Sequence, residues 1–511
     1  MKITSKYLVL PINMKMRLKT VLLSEGDGRL IFDFEAHLDP LTPQFYTYLD
    51  VERFRGMDLT VSVEPDMEIE FAMTDTKPVG SSYLRPSVHF SADYGWLNDP
   101  NGLVYYNGIY HLFYQINPVE TDFGSMHWGH AVSTDLLHWE DGEIALYPDD
   151  MGTMFSGCGI IDEGNVTGLS ENGDAMLLFY TAAAEHTRTS MGKKFTQCMA
   201  YSTDGGKTIT KYEKNPVVEN YALGNRDPKV VWVEELDAYV MAIFLADDRR
   251  YLYRLLESKN LLDWTPLQDI TIREGTEECP DLYSLEADGE KKWVFCGADD
   301  TYVIGSFDKG ARRFVAETEP KKLHYGNASY AGQTYSNTPG RRIKVVCNVF
   351  RDTGAQFSSQ MGIPMEMSLS KLGGEYYLKG CPVPEFDSLS GNTEAYHGNT
   401  EVILSKQSAY DITVKAPKDA DDFSVTVFGE ELVVKPRENL MIYRKHEVPL
   451  SVTGEDVNLR IITDTFTLEC SLDGGFVNAV FGVILDKSLN KLNVTSERAD
   501  ITVKELESIF N

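Results

Sequence analysis

The chain has 511 residues, 42% of them hydrophobic and 11% aromatic, which is enough to bury a large core in more than one domain. Its formal net charge of −29 repels the phosphates of nucleic acids and the surfaces of anionic membranes, so neither is expected as a partner.

The amino-terminal residues, "MKITSKYLVLPINMKMRLK", hold only a short apolar stretch, which Pro11 interrupts, and no small-residue cleavage site. No run approaches the roughly 18 apolar residues that a membrane helix needs. The cysteines are odd in number, widely spaced and free of CxxC pairs, which indicates neither a disulfide framework nor a zinc site; they are Cys158, Cys198, Cys279, Cys296, Cys347, Cys381 and Cys470. We therefore expect a reduced, cytoplasmic protein.

The first predicted unit, residues 1–84, contains strands in which apolar and polar residues alternate. "DLTVSVEP" at residues 58–65 and "MEIEFAM" at residues 67–73 each place their apolar side chains on one face. The unit ends near "TKPVGSS", residues 76–82, whose composition is typical of a linker. The pattern predicts a small sandwich-like β-module.

The second predicted unit, residues 85–385, contains a loose repeat in which a strand ends in a Ser-x-Asp or similar turn. Its instances are "AVSTDLLHW", "AYSTDGGKT", "LLESKNLLDW" and "VIGSFDKG". A spacing of about 50 to 70 residues suits the four-stranded blades of a β-propeller, although any all-β protein can repeat such turns. After it, "DITVKA", "SVTVF" and "TLECSL" predict a linker and a C-terminal β-sandwich over residues 386–511.

Three acids stand in tight, proline-punctuated contexts within the second unit. They are Asp99 in "WLNDPNG", Asp227 in "NRDPKV" and Glu278 in "EECPDLY". Each precedes or begins a predicted strand, and the innermost strands of propeller blades converge on one axis. We expect the three carboxyl groups to share one central funnel, where two of them could act as the nucleophile and the acid of a retaining glycosidase.

The surroundings of each acid predict its ionisation. The amides of the turn around Asp99 would hold that carboxylate ionised, and Arg226 would keep the adjacent Asp227 charged. Apolar neighbours of Glu278, Cys279 among them, would raise the pKa of its carboxyl group. Taken singly, each acid also has a simpler interpretation, as a turn residue, a structural ion pair or a solvated surface acid.

The motifs together resemble those of glycoside hydrolase family 32, the β-fructosidases. The resemblance runs from about residue 86 to the C-terminus, through "WLNDPNGLVYYNGIYHLFYQINP", "MHWGHAVSTDLLHWEDGEIALYPDD", "FSGCG", "RDPKV", "ECPDLY", "SYAGQTYSNTPGRRI" and "LRIITDTFTLECSLDGG". It implies an all-β fold, a five-bladed β-propeller followed by a C-terminal β-sandwich, with the small N-terminal β-module as an addition. It also implies retaining hydrolysis of β-fructofuranosides without a metal or organic cofactor.

The resemblance assigns the residues of the site. It makes Asp99 the nucleophile, Asp227 the transition-state stabiliser and Glu278 the general acid/base. The substrate-binding positions that it implies are Asn98, Gln115, Phe123, Phe155, Ser156 and Arg226.

Two departures from the family pattern concern the sugar pocket. Phe123 stands where the family usually has a tryptophan, and Cys347 or Asn348 replaces another. We therefore expect two indole walls to be absent, which affects the choice of substrate more than the chemistry. Trp128 is predicted to be a core residue.

The expected substrates are short fructo-oligosaccharides or fructose disaccharides, with release of terminal β-D-fructose. Hydrolysis of sucrose or sucrose 6-phosphate and fructosyl transfer stay open, as does assembly into a homo-oligomer. A noncatalytic fructan-binding propeller would lose one of the acids, and an arabinan-type hydrolase would place them in other contexts. Histidines close in sequence lack a ligand motif, so a metalloenzyme is not favoured; they are His111, His127, His130 and His138.

Overall fold

The computed structural model of the chain describes residues 1–79, 84–171, 173–247, 250–351, 353–406 and 409–510. Within these ranges the regular elements are β-strands and five short 3-10 helices, so the prediction of an all-β protein is confirmed; the helices are Glu52–Phe54, Glu234–Leu236, Pro384–Leu389, Pro436–Glu438 and Asp473–Gly475. None of the described residues belongs to a helix long and apolar enough to span a membrane. Part of the predicted linker, residues 80–82, lies outside the described ranges.

The N-terminal module consists of two three-stranded antiparallel sheets, with strand orders β4-β1-β6 and β3-β2-β5. The strands are β1 (Tyr7–Ile12), β2 (Lys19–Ser24), β3 (Leu30–Ala36), β4 (Phe45–Asp50), β5 (Thr60–Glu64) and β6 (Ala72–Thr74). Alternating apolar side chains from both sheets, such as Leu8 and Val21, enter one hydrophobic cluster. The cluster also includes Val119, which lies outside the module in sequence.

Five successive sheets, each built on four antiparallel strands, follow the module. The first has β7 (Gly95–Tyr106), β8 (Ile109–Asn117), β9 (His127–Ser133) and β10 (Glu140–Asp141); the second has β11 (Thr153–Asp162), β12 (Ala175–Ala183), β13 (Thr196–Ser202) and β14 (Thr210–Lys211). The third has β15 (Arg226–Val233), β16 (Ala238–Asp247), β17 (Arg250–Ser258) and β18 (Thr265–Ile270). The fourth has β19 (Asp281–Ala287), β20 (Glu290–Cys296), β21 (Thr301–Asp308) and β22 (Arg313–Ala316), with β23 (Lys321–Lys322) beside β21.

The fifth sheet follows β24 (His324–Gly326) and completes this part of the chain. Its strands are β25 (Ser329–Thr334), β26 (Ile343–Asn348), β29 (Met365–Leu372) and β30 (Glu375–Pro382). The short strand β27 (Phe357–Ser358) pairs with β7 of the first sheet, and β28 (Gln360–Met361) pairs with β26.

The first strands of the five sheets touch one another in a cycle. β7 contacts β11, β11 contacts β15, β15 contacts β19, β19 contacts β25, and β25 contacts β7. A buried polar contact joins three of these strands, because Lys229 Nζ lies 2.9 Å from Asp281 Oδ1 and donates a hydrogen bond to the carbonyl of Thr334 at 2.7 Å. These five strands therefore surround a common centre, and whatever lies at their amino-terminal ends is brought together.

The C-terminal part forms two further sheets, β24-β40-β39-β38-β33-β42-β31 and β32-β41-β34-β35-β36-β37. The strands are β31 (Ser390–His397), β32 (Thr400–Ile403), β33 (Ala409–Ala416), β34 (Phe423–Val427), β35 (Glu430–Lys435), β36 (Leu440–Tyr443), β37 (His446–Pro449), β38 (Val457–Thr463), β39 (Thr467–Leu472), β40 (Val477–Gly482), β41 (Lys491–Val494) and β42 (Asp500–Leu506). Both sheets contribute to one core, which includes Ile412 from the first and Val425 from the second. The parallel pairing of β24 with β40 joins this part to the preceding sheets.

Candidate active site

Irregular backbone marks four of the five central strands near their amino-terminal ends. The strand pairing is interrupted between Leu97 and Pro100 in β7, Phe155 and Gly157 in β11, Arg226 and Lys229 in β15, and Tyr330 and Gln333 in β25. A β-bulge turns a strand's side chains away from the alternating pattern, and such bulges are common beside active sites. Here they direct side chains toward the centre of the molecule.

Left-handed backbone occurs at the same level. The φ angle is 65° at Asp227 and 54° at Glu278, and Cys279 has a φ of 34°. Residues other than glycine seldom adopt such angles, and they are found most often at functional sites, where the surrounding structure holds them. Two of the three predicted catalytic acids are therefore presented by strained backbone.

All nine residues that the sequence analysis singled out line one cavity of about 410 Å³. They are Asn98, Asp99, Gln115, Phe123, Phe155, Ser156, Arg226, Asp227 and Glu278. They come from all parts of the sequence between residues 98 and 278, and the cyclic packing of the central strands brings them together.

Asp99 is buried, with 7% of its surface exposed. Its Oδ2 accepts a hydrogen bond of 2.5 Å from Ser156 Oγ and one of 3.3 Å from the Cys279 thiol, while its Oδ1 is buried and has no hydrogen-bond partner among the described residues. Burial raises the pKa of Asp99 to about 7; the Ser156 hydroxyl opposes this rise, and the charges of Asp227 and Glu278 add to it. The prediction that turn amides hold this carboxylate ionised was wrong: its protein partners are side chains, and burial dominates.

Asp227 lies beside Asp99 in the buried part of the cavity. Its Oδ2 accepts a 3.0 Å hydrogen bond from the backbone N–H of Cys279, and its own N–H donates to Thr181 Oγ1 at 2.9 Å. Burial raises the pKa of Asp227 to about 6, against the opposing charge of Arg226, and the charge of Glu278 raises it further. Arg226 thus favours the ionised form of Asp227, in the direction predicted, while burial raises the pKa by more than Arg226 lowers it.

Glu278 is the most exposed of the three acids, with one third of its side chain (33%) accessible. Arg226 Nη2 donates to Glu278 Oε1 at 2.8 Å, and the hydroxyl of Tyr330 donates to Oε2 at 2.5 Å. The prediction of apolar surroundings was therefore wrong, because both carboxyl oxygens face polar groups. The two donors fix the orientation of the carboxyl group at the mouth of the cavity.

The polar and aromatic walls are built from the first two sheets. Asn98 Nδ2 donates to Gln115 Oε1 at 2.9 Å, which orders both amides. The ring of Phe123 makes edge contacts with Trp96 and Phe155, at centroid distances of 5.7 and 5.9 Å. One indole, that of Trp96, therefore lines the cavity behind Phe123.

The second departure from the family pattern, at Cys347 and Asn348, does not lie in the wall of the cavity. Cys347 and Asn348 are fully buried and do not line the cavity, so the prediction that one of them replaces a pocket wall was wrong. Strand β26 ends at Asn348, and the chain then reaches the cavity through Val349 and Arg351. Trp128 is fully buried in a hydrophobic cluster, which confirms the prediction of a core residue.

The four histidines that are close in sequence do not line this cavity in the described part of the chain, and they pair with other groups of the protein. His111 Nδ1 lies 3.0 Å from His130 Nε2, His127 Nδ1 donates to the carbonyl of Ser125, and His138 Nδ1 lies 2.7 Å from Asp135. In the described part of the chain, no group of three or more His, Cys, Asp or Glu side chains could hold a metal ion.

Sequence reasoning missed several residues of the cavity, above all Tyr330. Its motif, "SYAGQTYSNTPGRRI", has two tyrosines, and the sequence analysis did not identify the first of them as a contact of Glu278. The paired small residues Ala331 and Gly332 are the signal: Ala331 has a φ of 53°, and the strand register shifts there. Nothing in the sequence around Arg351 indicated that this residue lines the cavity.

Two carboxyl groups in one cavity, one buried and one partly exposed, are the pair of groups that glycoside hydrolysis requires, and here an all-β scaffold carries them. The family description "Glycosyl hydrolases family 32 N-terminal domain" matches residues 89–379. The chain belongs to glycoside hydrolase family 32.

Individual relatives agree with this assignment. A levanase of Bacillus subtilis (strain 168) is 32% identical over an alignment of 482 positions, and the match covers 83% of this chain and 69% of the relative. A fructan beta-fructosidase of Streptococcus mutans is 36% identical over 74% of this chain, which spans only 27% of that longer relative. Among solved structures, the exo-inulinase of Aspergillus awamori matches 85% of this chain and 100% of its own with a TM-score of 0.74 at 22% identity, which shows a shared fold.

Proposed function

We propose that this protein is a retaining, exo-acting β-fructofuranosidase that releases terminal β-D-fructose from short, unphosphorylated fructosides. The observation that carries the proposal is that buried Asp99 and partly exposed Glu278 line one cavity together with Asp227. The names of the relatives, which include levanase, fructan beta-fructosidase, invertase and exo-inulinase, support β-fructosides as the substrate class.

In the first chemical step, ionised Asp99 attacks the anomeric C2 of the terminal fructosyl unit. As the bond between C2 and the leaving oxygen breaks, Glu278 donates its proton to that oxygen, and the shortened sugar departs. The product is a fructosyl ester of Asp99. Ser156 and the Cys279 thiol, which both contact Asp99 Oδ2, fix the position of the nucleophile before the attack.

In the second step, water replaces the leaving group. Glu278, now ionised, accepts a proton from the water, whose oxygen attacks C2 and releases Asp99. Two inversions at C2 give net retention. We assign Asp227 to the fructosyl hydroxyl groups, because the backbone N–H of Cys279 holds its carboxylate in place beside the reacting groups.

The proposed exo action is based on which residues of the cavity are buried and which are exposed to solvent. Asp99 is buried, whereas Glu278 and Phe123, which is 43% exposed, lie toward the solvent. A chain end inserted toward Asp99 would place its terminal ring among Asn98, Gln115 and Asp99, with the next sugar near Phe123. The interior of a polymer could not reach Asp99 in this way.

The charges of the cavity favour a neutral substrate. Three acids line it, and its two cations are both paired: Arg226 lies 2.8 Å from Glu278, and Arg351 lies 3.3 Å from Asp122. A phosphate group would therefore meet net negative charge, and each guanidinium that lines the described cavity already faces a carboxylate. This argues against sucrose 6-phosphate as the preferred substrate.

We also infer the finer architecture. The five sheets whose first strands contact one another in a cycle would form a five-bladed β-propeller, and the last two sheets a β-sandwich. The division into residues 1–84, 85–385 and 386–511 follows the sheet boundaries, except that β24 pairs with the C-terminal sheet.

A substrate panel tests the proposal. We expect kcat/KM to be higher for 1-kestose and inulobiose than for sucrose, sucrose 6-phosphate or long inulin, with free fructose as an early product of each reaction. A preference of more than about tenfold, or 1.4 kcal/mol, for sucrose 6-phosphate or for the polymer would refute the substrate assignment. Transfer of fructose to sugar acceptors in place of water would instead identify a fructosyltransferase.

A further inference from the structure

Two loops carry exposed aromatic side chains next to the cavity: one of these side chains lines it, and the other packs against rings that line it. Residues 118–126, between β8 and β9, carry Phe123, and residues 184–195, between β12 and β13, carry His186. The two rings meet edge to face at a centroid distance of 5.8 Å, and both contact Phe155, at 5.9 and 5.1 Å. We call Phe123 and His186 the rim wall.

The N-terminal module holds the first of these loops. Val119 is fully buried within the hydrophobic cluster of the module, and Thr47 Oγ1 donates to the carbonyl of Val119 at 2.5 Å. The next residue, Glu120, is 2% exposed and accepts a 2.8 Å hydrogen bond from the backbone N–H of His37. The loop is thus anchored three residues before Phe123.

The same module holds the second loop through Asp33 of β3. Asp33 Oδ2 accepts a hydrogen bond from the backbone N–H of Arg188 at 2.9 Å, and Oδ1 accepts one from Thr189 at 3.4 Å. The Arg188 side chain also reaches Glu64 of the module at 2.7 Å. Because Asp33 is only 4% exposed, these bonds satisfy a carboxyl group that would otherwise be buried without partners. The anchor lies two residues after His186.

We infer that the N-terminal module determines substrate specificity, with Asp33 as a positioning residue that holds His186 against Phe123. The rim wall would then contact the sugar next to the terminal fructose, since apolar sugar faces pack on aromatic rings. The inference rests on the proposed function, and it adds that a part of the chain outside the five central sheets selects the substrate. The position of each loop therefore depends on its contacts with the N-terminal module as well as on the two strands that the loop connects.

The test compares two substrates that differ only beyond the terminal fructose. Methyl β-D-fructofuranoside has a leaving group too small to reach the rim wall, whereas 1-kestose places a sugar there. We expect Asp33→Ala to lower kcat/KM for 1-kestose three- to tenfold, mainly through KM, and to change the value for methyl β-D-fructofuranoside less than twofold. Asp33→Asn, which keeps an acceptor oxygen, should retain most of the wild-type ratio.

A double-mutant cycle separates positioning from general destabilisation. His186→Ala, at an exposed site, should produce the same change in substrate ratio, and adding Asp33→Ala to it should change the ratio no further. Lys6→Gln is the matched control, because it removes a different ion pair of the module, the one with Glu143 in the segment after β10 at 2.5 Å, and it should leave the ratio unchanged.

The outcomes distinguish the two levels of the proposal. Equal losses on both substrates in either variant, or no loss in His186→Ala, would overturn the inference while leaving the proposed function intact. A wild-type enzyme that hydrolyses neither fructoside would overturn the proposed function and the inference with it.

Discussion

The guanidinium of Arg226 lies 2.8 Å from the carboxylate of Glu278, but 3.7 Å from that of Asp227, its neighbour in sequence. Its Nη1 donates to the carbonyl of Gly224, and its charge centre lies 4.9 Å from the ring centroid of Phe244. These contacts hold the guanidinium of Arg226 in place, and its other N–H groups point to Glu278, the proposed acid/base. Its main effect on catalysis should come through the orientation of Glu278.

The first prediction concerns this orientation. Arg226→Lys keeps the positive charge but loses the planar group that donates to Glu278 Oε1 from both Nε and Nη2. We expect kcat/KM for 1-kestose to fall at least tenfold, with little change in the melting temperature. Arg254→Lys, at an exposed two-bond contact with Asp269, is the control and should retain full activity. Equal activity of the two variants would contradict the assigned role.

The second prediction separates the nucleophile from the acid. Asp99→Asn and Glu278→Gln should each lower turnover of 1-kestose by about a thousandfold or more, because both steps need both groups. On a fructoside with a good leaving group, Glu278→Gln should recover activity in the first step, whereas Asp99→Asn should not. Steady-state and burst kinetics on both substrates measure the difference. Normal turnover of 1-kestose by a folded Glu278→Gln variant would show that the acid/base is another residue.

The third prediction concerns stability and pH. Burial raises the pKa of Asp99 to about 7, well above the value near 3.9 expected in the unfolded chain. Between about pH 3.9 and about pH 7, therefore, Asp99 holds a proton in the folded protein that it would lose in the unfolded chain. This contribution to stability is fully present below about pH 4 and is lost as the pH rises through 7. We expect Asp99→Asn to be more stable than the wild type by about 1 to 3 kcal/mol at pH 8, with a smaller difference at pH 4. Chemical denaturation at the two pH values measures this, and a difference that does not grow with pH would contradict it.

The fourth prediction links Ser156 to the pH profile. Attack requires ionised Asp99, so kcat/KM should fall as the pH drops through about 7. The Ser156 hydroxyl donates to Asp99 Oδ2 and favours the ionised form, so Ser156→Ala should move this limb to higher pH. Thr181→Ser keeps the hydroxyl that accepts from the Asp227 N–H and serves as the control, with an unchanged limb. A limb that stays in place in Ser156→Ala would exclude Asp99 as the titrating group.

The fifth prediction is stereochemical. Attack by Asp99 followed by attack of water inverts C2 twice, so the first fructose released should have the β configuration. Fructose has no anomeric proton, so the early product should be followed by carbon NMR or trapped with methanol as methyl β-D-fructofuranoside. An initial α product would exclude the covalent intermediate.

The sequence by itself determined the class of fold and nine of the residues that line the cavity. Strict alternation in segments such as residues 58–65 predicted strands, and the proline-punctuated motifs around Asp99, Asp227 and Glu278 marked the residues that line one cavity. These features are local: alternation fixes which face of a strand is buried, and proline-punctuated motifs mark irregular backbone, such as the bulge between Leu97 and Pro100 within β7. The local sequence is therefore enough to identify the three acids.

The tertiary structure alone decided the partners of those acids. The pairing of Arg226 with Glu278, the contact of Tyr330 with Glu278 and the burial that raises the pKa of Asp99 all join different strands around the common centre. The anchoring of residues 184–195 by Asp33 spans more than 150 positions of the sequence. Such contacts depend on how the sheets pack against one another, and this packing is set by the burial of many side chains together. The residues next to any one of these side chains in the sequence therefore do not show which distant residue it will contact.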